Sequence, residues 1–267
     1  MKLKTLILLA VLFSISTTAF GQKEPVKTPG VPNKPANVTK LEITPSAAKT
    51  PTVQKILAKY VQAIGGKATN EKIKSRIMKG TVELAPMGVK GTFEGFAAAP
   101  NKSVTTMSLT GIGEIIEGFD GSTAWSVNPI SGNRVKQGEE LAQTKIIYNF
   151  YREINLDKLY QKMELKGVEK VGANDAYVVV GTPDNLPPET FYFDTENGLL
   201  LRQDMTLTSP EVKTPTKTFF EDFRDVDGVK LPFKTRTTLP QFEVITIFTE
   251  IKHNAAVEAA KFAKPKE

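Results

Sequence analysis

The sequence predicts an α+β domain built on a strongly curved antiparallel sheet, an unclosed β-barrel of about eleven strands with helices packed on its concave side. Three observations carry this prediction. Most of the chain alternates apolar and polar residues with a period of two, which is typical of strands with one buried face. Asp-Gly and Asn-Gly pairs separate these runs, as in antiparallel hairpins. Two stretches have helical periodicity instead and supply the helices.

The first 21 residues have the pattern of a signal peptide. Lys2 and Lys4 form a basic start, Leu6–Ile15 is an apolar run, and Ala19-Phe20-Gly21 is a small-residue cleavage site. A transmembrane helix needs about 20 apolar residues, and this run is shorter. We therefore expect an exported, periplasmic protein that is cleaved after Gly21 and does not span the membrane.

The next segment, residues 22–50, is rich in Pro and Lys and has no aromatic residue. It cannot bury enough apolar surface to offset the entropy of ordering, which predicts a disordered linker. Its five Lys and two Glu, together with the lysines of the signal peptide, carry most of the net charge of +6. The folded part is nearly neutral, so no nucleic-acid partner is expected.

The folded domain is expected over residues 51–254, with a C-terminal tail over residues 255–267. Its first element is a helix over Pro51–Ile64, which Thr50 can cap and Gly65-Gly66 ends. Its apolar stripe must pack on another element, and a sheet follows. The stripe consists of Val53, Ile56, Leu57, Tyr60, Val61 and Ile64.

A hairpin follows among the first strands. Glu114–Phe119 and Thr123–Val127 are β-prone runs that flank the Asp120-Gly121 turn, and the second run holds the only tryptophan, Trp125. We expect this hairpin to lie in the middle of the sheet. The inner face that carries Trp125 is then either core or a pocket for an apolar ligand.

A second helical stretch interrupts the strands at residues 139–163. Ile147, Phe150, Tyr151 and Ile154 have helical spacing, and Asn155 can cap a short second helix. A second run of strands then extends from Glu164 to Ile251. Helices between two runs of strands are typical of an α+β fold with helices on one side of the sheet.

The residue inventory excludes most catalytic and metal sites. The chain has no Cys and a single histidine, His253, which we expect to be solvated. Thiol nucleophiles, Cys-based zinc sites and two-histidine metal sites are therefore impossible. We expect no cofactor, no metal and no enzymatic activity, with a mechanism based on carboxylates alone as the remaining alternative.

Two groups of carboxylates were weighed for that alternative. Glu114, Glu117 and Asp120 lie near Trp125, but the odd spacing of Glu114 and Glu117 directs these two to opposite faces of a strand. Asp222, Asp225 and Asp227 superficially resemble a calcium loop, although an Asp-Gly hairpin explains them better. Neither group predicts a catalytic or metal site.

The apolar face itself is the remaining candidate. A large sheet under few helices can leave part of this face open to an acyl chain, and the alternative is an ordinary core. The candidate ligand-binding residues on this face are Phe93, Trp125, Phe191, Phe193, Leu199, Leu201, Met205, Phe219, Leu231 and Phe233.

Three segments of the sequence resemble those of the LolA/LolB-like superfamily of bacterial lipoprotein-sorting carriers. They read GFDGSTAW, FYFDTENGLLLR and FEDFRDVDGVKLPFKTRT. The resemblance implies an unclosed barrel with helices as a lid over a cavity that binds lipids or lipoprotein acyl chains. The expected function is a non-enzymatic carrier or sensor of such a ligand. The alternative is a structural module that docks on a partner protein of the cell envelope.

Overall fold

The computed structural model describes residues 50–265, so the predicted signal peptide and nearly all of the predicted linker lie outside the described residues. The described chain forms one antiparallel sheet of 13 strands with few helices, which confirms the predicted α+β class. The strands are β1 (Ser75–Ala85), β2 (Val89–Ala98), β3 (Lys102–Leu109), β4 (Gly113–Phe119), β5 (Ala124–Val127), β6 (Arg134–Val135), β7 (Lys162–Val171), β8 (Asn174–Thr182), β9 (Glu189–Asp194), β10 (Leu200–Thr208), β11 (Lys213–Val226), β12 (Val229–Thr238) and β13 (Glu243–His253). The helices are α1 (Val53–Ala63), α2 (Lys67–Lys72), α3 (Gly138–Ile147) and α4 (Leu156–Leu159), with 3₁₀ turns at Arg152–Ile154 and Ala259–Phe262.

The sheet is curved and unclosed, and its middle is the pairing of β1 with β13. From β1 the chain meanders outward to β6 at one edge, and it returns from β7 at the opposite edge to β13. The strand count exceeds the expected number of about eleven, partly because β6 has two residues and is too short to carry a periodic signal.

The predicted hairpin forms, but it lies beside an edge of the sheet and not in its middle. β4 pairs with β5, and only the short β6 lies beyond β5 in the sheet. The expectation was wrong because strand order in the chain differs from strand order in the sheet once β13 pairs with β1. The turn itself is as predicted, since Asp120 Oδ1 accepts from the Ser122 and Thr123 amides and Gly121 has a φ of 105°.

Trp125 fills its position in this hairpin completely. Its side chain is 1% exposed, and its indole lies against the cross-strand Gly118. A Cβ atom added at Gly118 would overlap the indole ring, so the pair requires glycine at this position. Trp125 is therefore a packing residue of the sheet edge.

Residues 136–161 connect β6 to β7 and are called the crossing segment. This segment has to cross one face of the sheet, because β6 and β7 lie at opposite edges. In α3 the Gln143 side chain fixes this crossing on β10: its Nε2 donates to Thr206 O at 2.7 Å, and its Oε1 accepts from Thr208 N at 2.9 Å. The buried residues of α3 are Glu140, Gln143 and Thr144. The helix thus docks through polar side chains.

The expected apolar stripe of the crossing segment is divided among several elements. α3 ends at Ile147, which is exposed, while Phe150 and Tyr151 follow in an irregular stretch. Asn155 precedes α4, but its amide donates to Tyr151 O and does not cap the helix. The helical spacing of these residues in the sequence therefore does not correspond to one helix, because it continues past the end of α3.

The first helix, α1, covers the same face of the sheet. Thr52, and not Thr50, is its capping residue, and Thr52 Oγ1 accepts from Lys55 N at 3.4 Å. Ile56, Leu57 and Tyr60 are buried against the aromatic residues of β9. This contact forms the main hydrophobic core, which lies between the helices and one half of the sheet.

The C-terminal residues also pack on the sheet. The 3₁₀ turn Ala259–Phe262 contacts β3, Phe262 is 3% exposed, and Lys261 Nζ lies 5.0 Å from the Phe96 ring centroid. Among residues 50–265, no helix has the length and apolar character needed to cross a membrane.

Replacing Trp125 with Ala should lower the free energy of unfolding by about 3–5 kcal/mol, because the large cavity left behind cannot collapse against a sheet edge. Urea unfolding measures this change. The matched control is Val135→Ala, which shortens the exposed cross-strand neighbour of Trp125 and should have little effect. A loss below about 1 kcal/mol for Trp125→Ala would show that the indole is not part of a packed core.

Candidate functional site

An apolar cavity of about 210 Å³ lies between α1, the crossing segment and strands β10 to β12. It exists because α1 and the crossing segment meet over the sheet without filling the space between them. Most of its wall is apolar and includes Ile64, Ile154, Leu200, Phe220, Phe223 and Leu231.

The polar groups of this cavity come from several elements. Tyr60 of α1 donates a hydrogen bond from its hydroxyl to Glu153 Oε2 at 2.5 Å, and Arg152 Nη1 donates to Glu153 Oε1 at 3.1 Å. Burial and the Glu153 charge raise the pKa of Tyr60 well above its ordinary value, so the phenol stays protonated and remains a donor. This bond joins α1 to the crossing segment over the cavity.

Arg76 of β1 is a cation of the cavity wall. Its Nε donates to His253 Nε2 at 3.1 Å, and its guanidinium carbon lies 5.7 Å from the Phe150 ring centroid. Burial lowers the pKa of Arg76 to about 10, and the nearby Glu153 offsets this loss only in part. The group is protonated at neutral pH but incompletely compensated.

His253 is buried behind Arg76, whereas the sequence predicted a solvated histidine. Its side chain is fully inaccessible, because β13 pairs with β1 and brings His253 directly opposite Arg76. Since Nε2 accepts from Arg76, the proton of the neutral ring is on Nδ1, which lies 3.5 Å from Asp227 Oδ2. Burial and the Arg76 charge lower the pKa of His253.

A buried ion pair fastens the crossing segment to the sheet beside the cavity. Arg152 Nη2 donates to Glu189 Oε2 at 2.9 Å, and the Tyr160 hydroxyl and Gln203 Nε2 donate to the same oxygen at 2.8 and 2.5 Å. Although burial by itself lowers the pKa of Arg152, Glu153, Tyr160 and Glu189 raise it above the ordinary value. Arg152 therefore remains charged.

A second cavity of about 430 Å³ lies near α3, and its wall combines charged side chains with apolar ones such as Ile147 and Leu207. Its charged groups neutralise one another: Arg134 pairs with Glu140, and Lys136 Nζ lies 2.5 Å from Glu117 Oε2. Each charged group of this wall therefore has a partner of opposite charge.

The structure brings four of the ten predicted ligand-binding residues to this region. Leu231 lines the cavity, and Phe191, Phe193 and Leu199 lie in the core beneath α1. Phe191 and Phe193 are fully buried, so protein side chains already cover this part of the face.

The other six lie elsewhere. Phe93 contacts Phe248 edge to face, and Trp125 is the packed indole of the sheet edge. Leu201 packs with Ala176 and Val178 on the face opposite to Phe191, because successive residues of a strand alternate between faces.

Aromatic stacking places two of these six next to arginines. Phe219 lies under Arg236, with 4.2 Å from the guanidinium carbon to the ring centroid, and Phe233 lies under Arg224 at 4.5 Å. Met205 lines a separate groove of about 400 Å³ on β10 and β11. The alternation of apolar and polar residues did not predict correctly on which face of the sheet these side chains lie. Bulges and left-handed residues such as Asp222 change the register of the strands.

Sequence reasoning missed Arg76, Tyr60 and Glu153 as site residues. Tyr60 was identified in the helical stripe but only as a packing residue. Arg76 and Glu153 are 77 positions apart, so no local pattern links them. The signal in the sequence that could have identified Arg76 is a charged residue on a strand next to an apolar face.

The acidic residues singled out in the sequence have separate partners in the structure. Residues 50–265 contain no group of three or more side chains that could hold a metal ion. Glu114 accepts from the Ser108 hydroxyl, whereas Glu117 pairs with Lys136 and Ser126, so these two carboxylates do not face each other. Asp225 Oδ1 accepts from Gly228 N in the β11–β12 turn, as the hairpin interpretation predicted.

No protein-family model matches the sequence, and no curated protein is similar enough to match it. Solved structures do match. A DUF1329 family protein from Desulfovibrio piger has a TM-score of 0.53 at 15% identity, and the match covers 80% of this chain and 98% of that one. A LolA superfamily protein from Nitrosomonas europaea has a TM-score of 0.52 at 13% identity, covering 80% and 99%. A domain named for outer-membrane lipoprotein sorting, from Vibrio parahaemolyticus, has a TM-score of 0.50 at 13% identity, covering 78% and 96%. The chain thus has a LolA-like fold, as the sequence resemblance predicted.

Replacing Glu189 with Leu should lower the free energy of unfolding by about 3–5 kcal/mol, because it leaves the Arg152 charge buried without its partner. The double variant Arg152→Leu/Glu189→Leu should lose less, since no charge is stranded. Urea unfolding of the two variants measures the difference. Lys170→Ala, which breaks an exposed ion pair with Asp175, is the control and should change little. Equal losses in the single and double variants would contradict a charged pair.

The stability of the protein should fall as the pH drops from about 7.5 to 5.5. The pKa of His253 is lowered in the folded state, whereas the unfolded chain takes up a proton below about 6.5, so protonation stabilises the unfolded state relative to the folded state as the pH falls. His253→Gln retains an acceptor for Arg76 and should lose this component. Unfolding curves at several pH values give both slopes, and identical slopes would show that His253 does not contribute.

Proposed function

We propose that this protein is a periplasmic, non-enzymatic carrier or sensor that binds the apolar chain of a lipid or of a lipoprotein in the cavity beneath α1. The observation that carries the proposal is the apolar space between the helix layer and the sheet, lined by Ile64, Leu200, Phe220 and Leu231. Interiors are normally packed without such voids, and apolar cavities remain dry and accept apolar ligands.

The size of the cavity defines what enters without a conformational change. Its 210 Å³ exceeds the engineered cavity of about 150 Å³ that binds benzene, but it lies below the usual range of about 300–1,000 Å³ for ligand pockets. At about 30 Å³ for each water-sized group, it holds about seven such groups. A short apolar chain fits, and a longer one requires α1 and the crossing segment to separate.

The contacts between these two covering elements fit such an opening. Above the cavity they include the hydrogen bond from Tyr60 to Glu153. The crossing segment is itself held to the sheet by Arg152 and Glu189, and α1 is held at its C-terminal end by the bond from Lys230 N to Ile64 O. Each element can therefore keep its own anchor while the gap between them widens.

The LolA-like fold supports this assignment, since two of the similar structures are a LolA superfamily protein and a domain named for lipoprotein sorting. We further propose that residues 1–21 direct export and are removed after Gly21, and that residues 22–50 are a linker to the domain at residues 51–254, with a tail at residues 255–267. The periplasm is where lipid or lipoprotein transfer between envelope membranes takes place.

A second candidate is a structural module that docks on an envelope protein. The filled core beneath α1, with Phe191 and Phe193 fully buried, favours it. The edge strand β7 exposes Val168 but also Lys162, Lys166 and Lys170, and lysines on an edge oppose pairing with another strand. The carrier is the stronger proposal because the module gives the apolar cavity no role.

The direct test is to purify the exported protein without detergent and to analyse it by native mass spectrometry and lipid extraction. The wild type should carry a lipid or bind one added from vesicles. Leu231→Trp places an indole in the cavity and should lower lipid binding at least tenfold, which corresponds to about 1.4 kcal/mol. Val168→Trp adds the same ring on the exposed edge and should bind as the wild type does. Absence of any bound lipid in the wild type, or equal binding by Leu231→Trp, would overturn the proposal.

A further inference from the structure

The arginines of this chain differ in how their charge is balanced. The sequence has six arginines, all within the described residues. Five of them form an ion pair with a carboxylate: Arg134 with Glu140, Arg152 with Glu189, Arg202 with Asp204, Arg224 with Asp222 and Arg236 with Glu243. Arg76 makes no ion pair within residues 50–265, although it lines the apolar cavity.

The donors of Arg76 are only partly used. Its Nε donates to His253, a neutral acceptor, and neither Nη atom makes a hydrogen bond within the described residues. Five N–H groups on a planar fork match the two oxygens of a carboxylate or phosphate. A guanidinium that lines an apolar cavity with both Nη atoms unpaired has the geometry of an anion-binding group.

The nearest carboxylates of the protein are already occupied. Both oxygens of Glu153 accept hydrogen bonds, one from Tyr60 and the other from Arg152. Asp227 lies on the far side of His253, at 3.5 Å from Nδ1. Burial lowers the pKa of Arg76, and the charge of Glu153 offsets this effect only in part.

Other groups around the cavity favour an anion or leave room for one. Lys230, which is exposed, also lines the cavity and adds a positive charge. The Asn70 amide donates to Ile64 O and Gly66 O, so it is engaged in the turn after α1. Arg76 and the exposed Lys230 are therefore the charged donors of the wall, and Arg76 alone of the two has a planar guanidinium.

We propose that the ligand is an anionic amphiphile, with a single apolar chain in the cavity and a carboxylate or phosphate head group bound by the Nη atoms of Arg76. This inference rests on the proposed carrier function and narrows its ligand class. Each of these head groups has at least two oxygens and carries a negative charge. A neutral lipid would leave Arg76 uncompensated.

The experiment compares three ligands of equal chain length by isothermal titration calorimetry at pH 8. Octanoate and octyl phosphate represent the two anionic sources, and octanol is the neutral control; eight carbons approach the size of the cavity. The wild type should bind at least one of the two anions tenfold or more tightly than octanol. Which anion binds more tightly identifies the head group.

The variant Arg76→Gln should weaken binding of the preferred anion at least tenfold and leave octanol within twofold. Arg76→Lys keeps the charge but not the planar fork, so its affinity for the anion should be intermediate. Arg236→Gln, on the stacked arginine of β12, is the matched control and should bind all three ligands as the wild type does. Urea unfolding verifies that each variant is folded.

The outcomes separate the two proposals. If octanol binds as tightly as the anions and Arg76→Gln changes nothing, the head-group inference is wrong and the carrier function stands. If Arg76→Gln loses octanol and the anion equally, Arg76 supports the cavity structurally and the inference is also wrong. If the wild type binds none of the three and carries no lipid after purification, the carrier function itself fails.

Discussion

The pairing of β1 with β13 is the constraint on which the rest of the structure depends. It joins the first and last strands of the domain over ten residue pairs and places them in the middle of the sheet. The strands that bound the crossing segment, β6 and β7, are thereby sent to opposite edges. The chain between them must span the concave face, and the cavity is the space that this crossing and α1 leave between them. The same pairing places His253 opposite Arg76 and so builds the polar corner of the cavity.

The helix layer is held by polar contacts as much as by apolar ones. α3 docks through Gln143 on the backbone of β10, and Arg152 docks on Glu189 with Tyr160 and Gln203 around it. A buried ion pair contributes less stability than well-packed apolar residues of the same volume, because both charges must be desolvated. What it provides is a defined position, since a displaced partner would leave a buried charge. These polar contacts hold the helix layer in one position over the sheet. They do so without requiring a core that fills the concave face.

The fold class could be predicted from the sequence, whereas the candidate site could not, because the fold class depends on local signals and the site depends on contacts between distant residues. Alternation and the Asp120-Gly121 and Asp227-Gly228 turns are local signals, and they correctly predicted antiparallel hairpins. Strand order in the sheet is not local, so the Trp125 hairpin was misplaced from the edge to the middle. Face assignment failed at Leu201 because a bulge between Leu200 and Arg202 shifts the register of β10 against β9. The polar residues of the cavity meet only through the tertiary fold.

The unbalanced charge of Arg76 is the reason for proposing a binding site here rather than a packing defect. A void beneath two short elements would be expected wherever helices cross a curved sheet, and by itself it implies only imperfect packing. A guanidinium beside that void is different, because its desolvation costs free energy that a shorter or neutral residue would avoid. Every other arginine of the chain offsets this cost with a carboxylate, and two carboxylates near Arg76 are directed to other partners instead. The anionic amphiphile that we propose supplies this missing charge, because its head group joins Arg76 while its apolar chain enters the cavity.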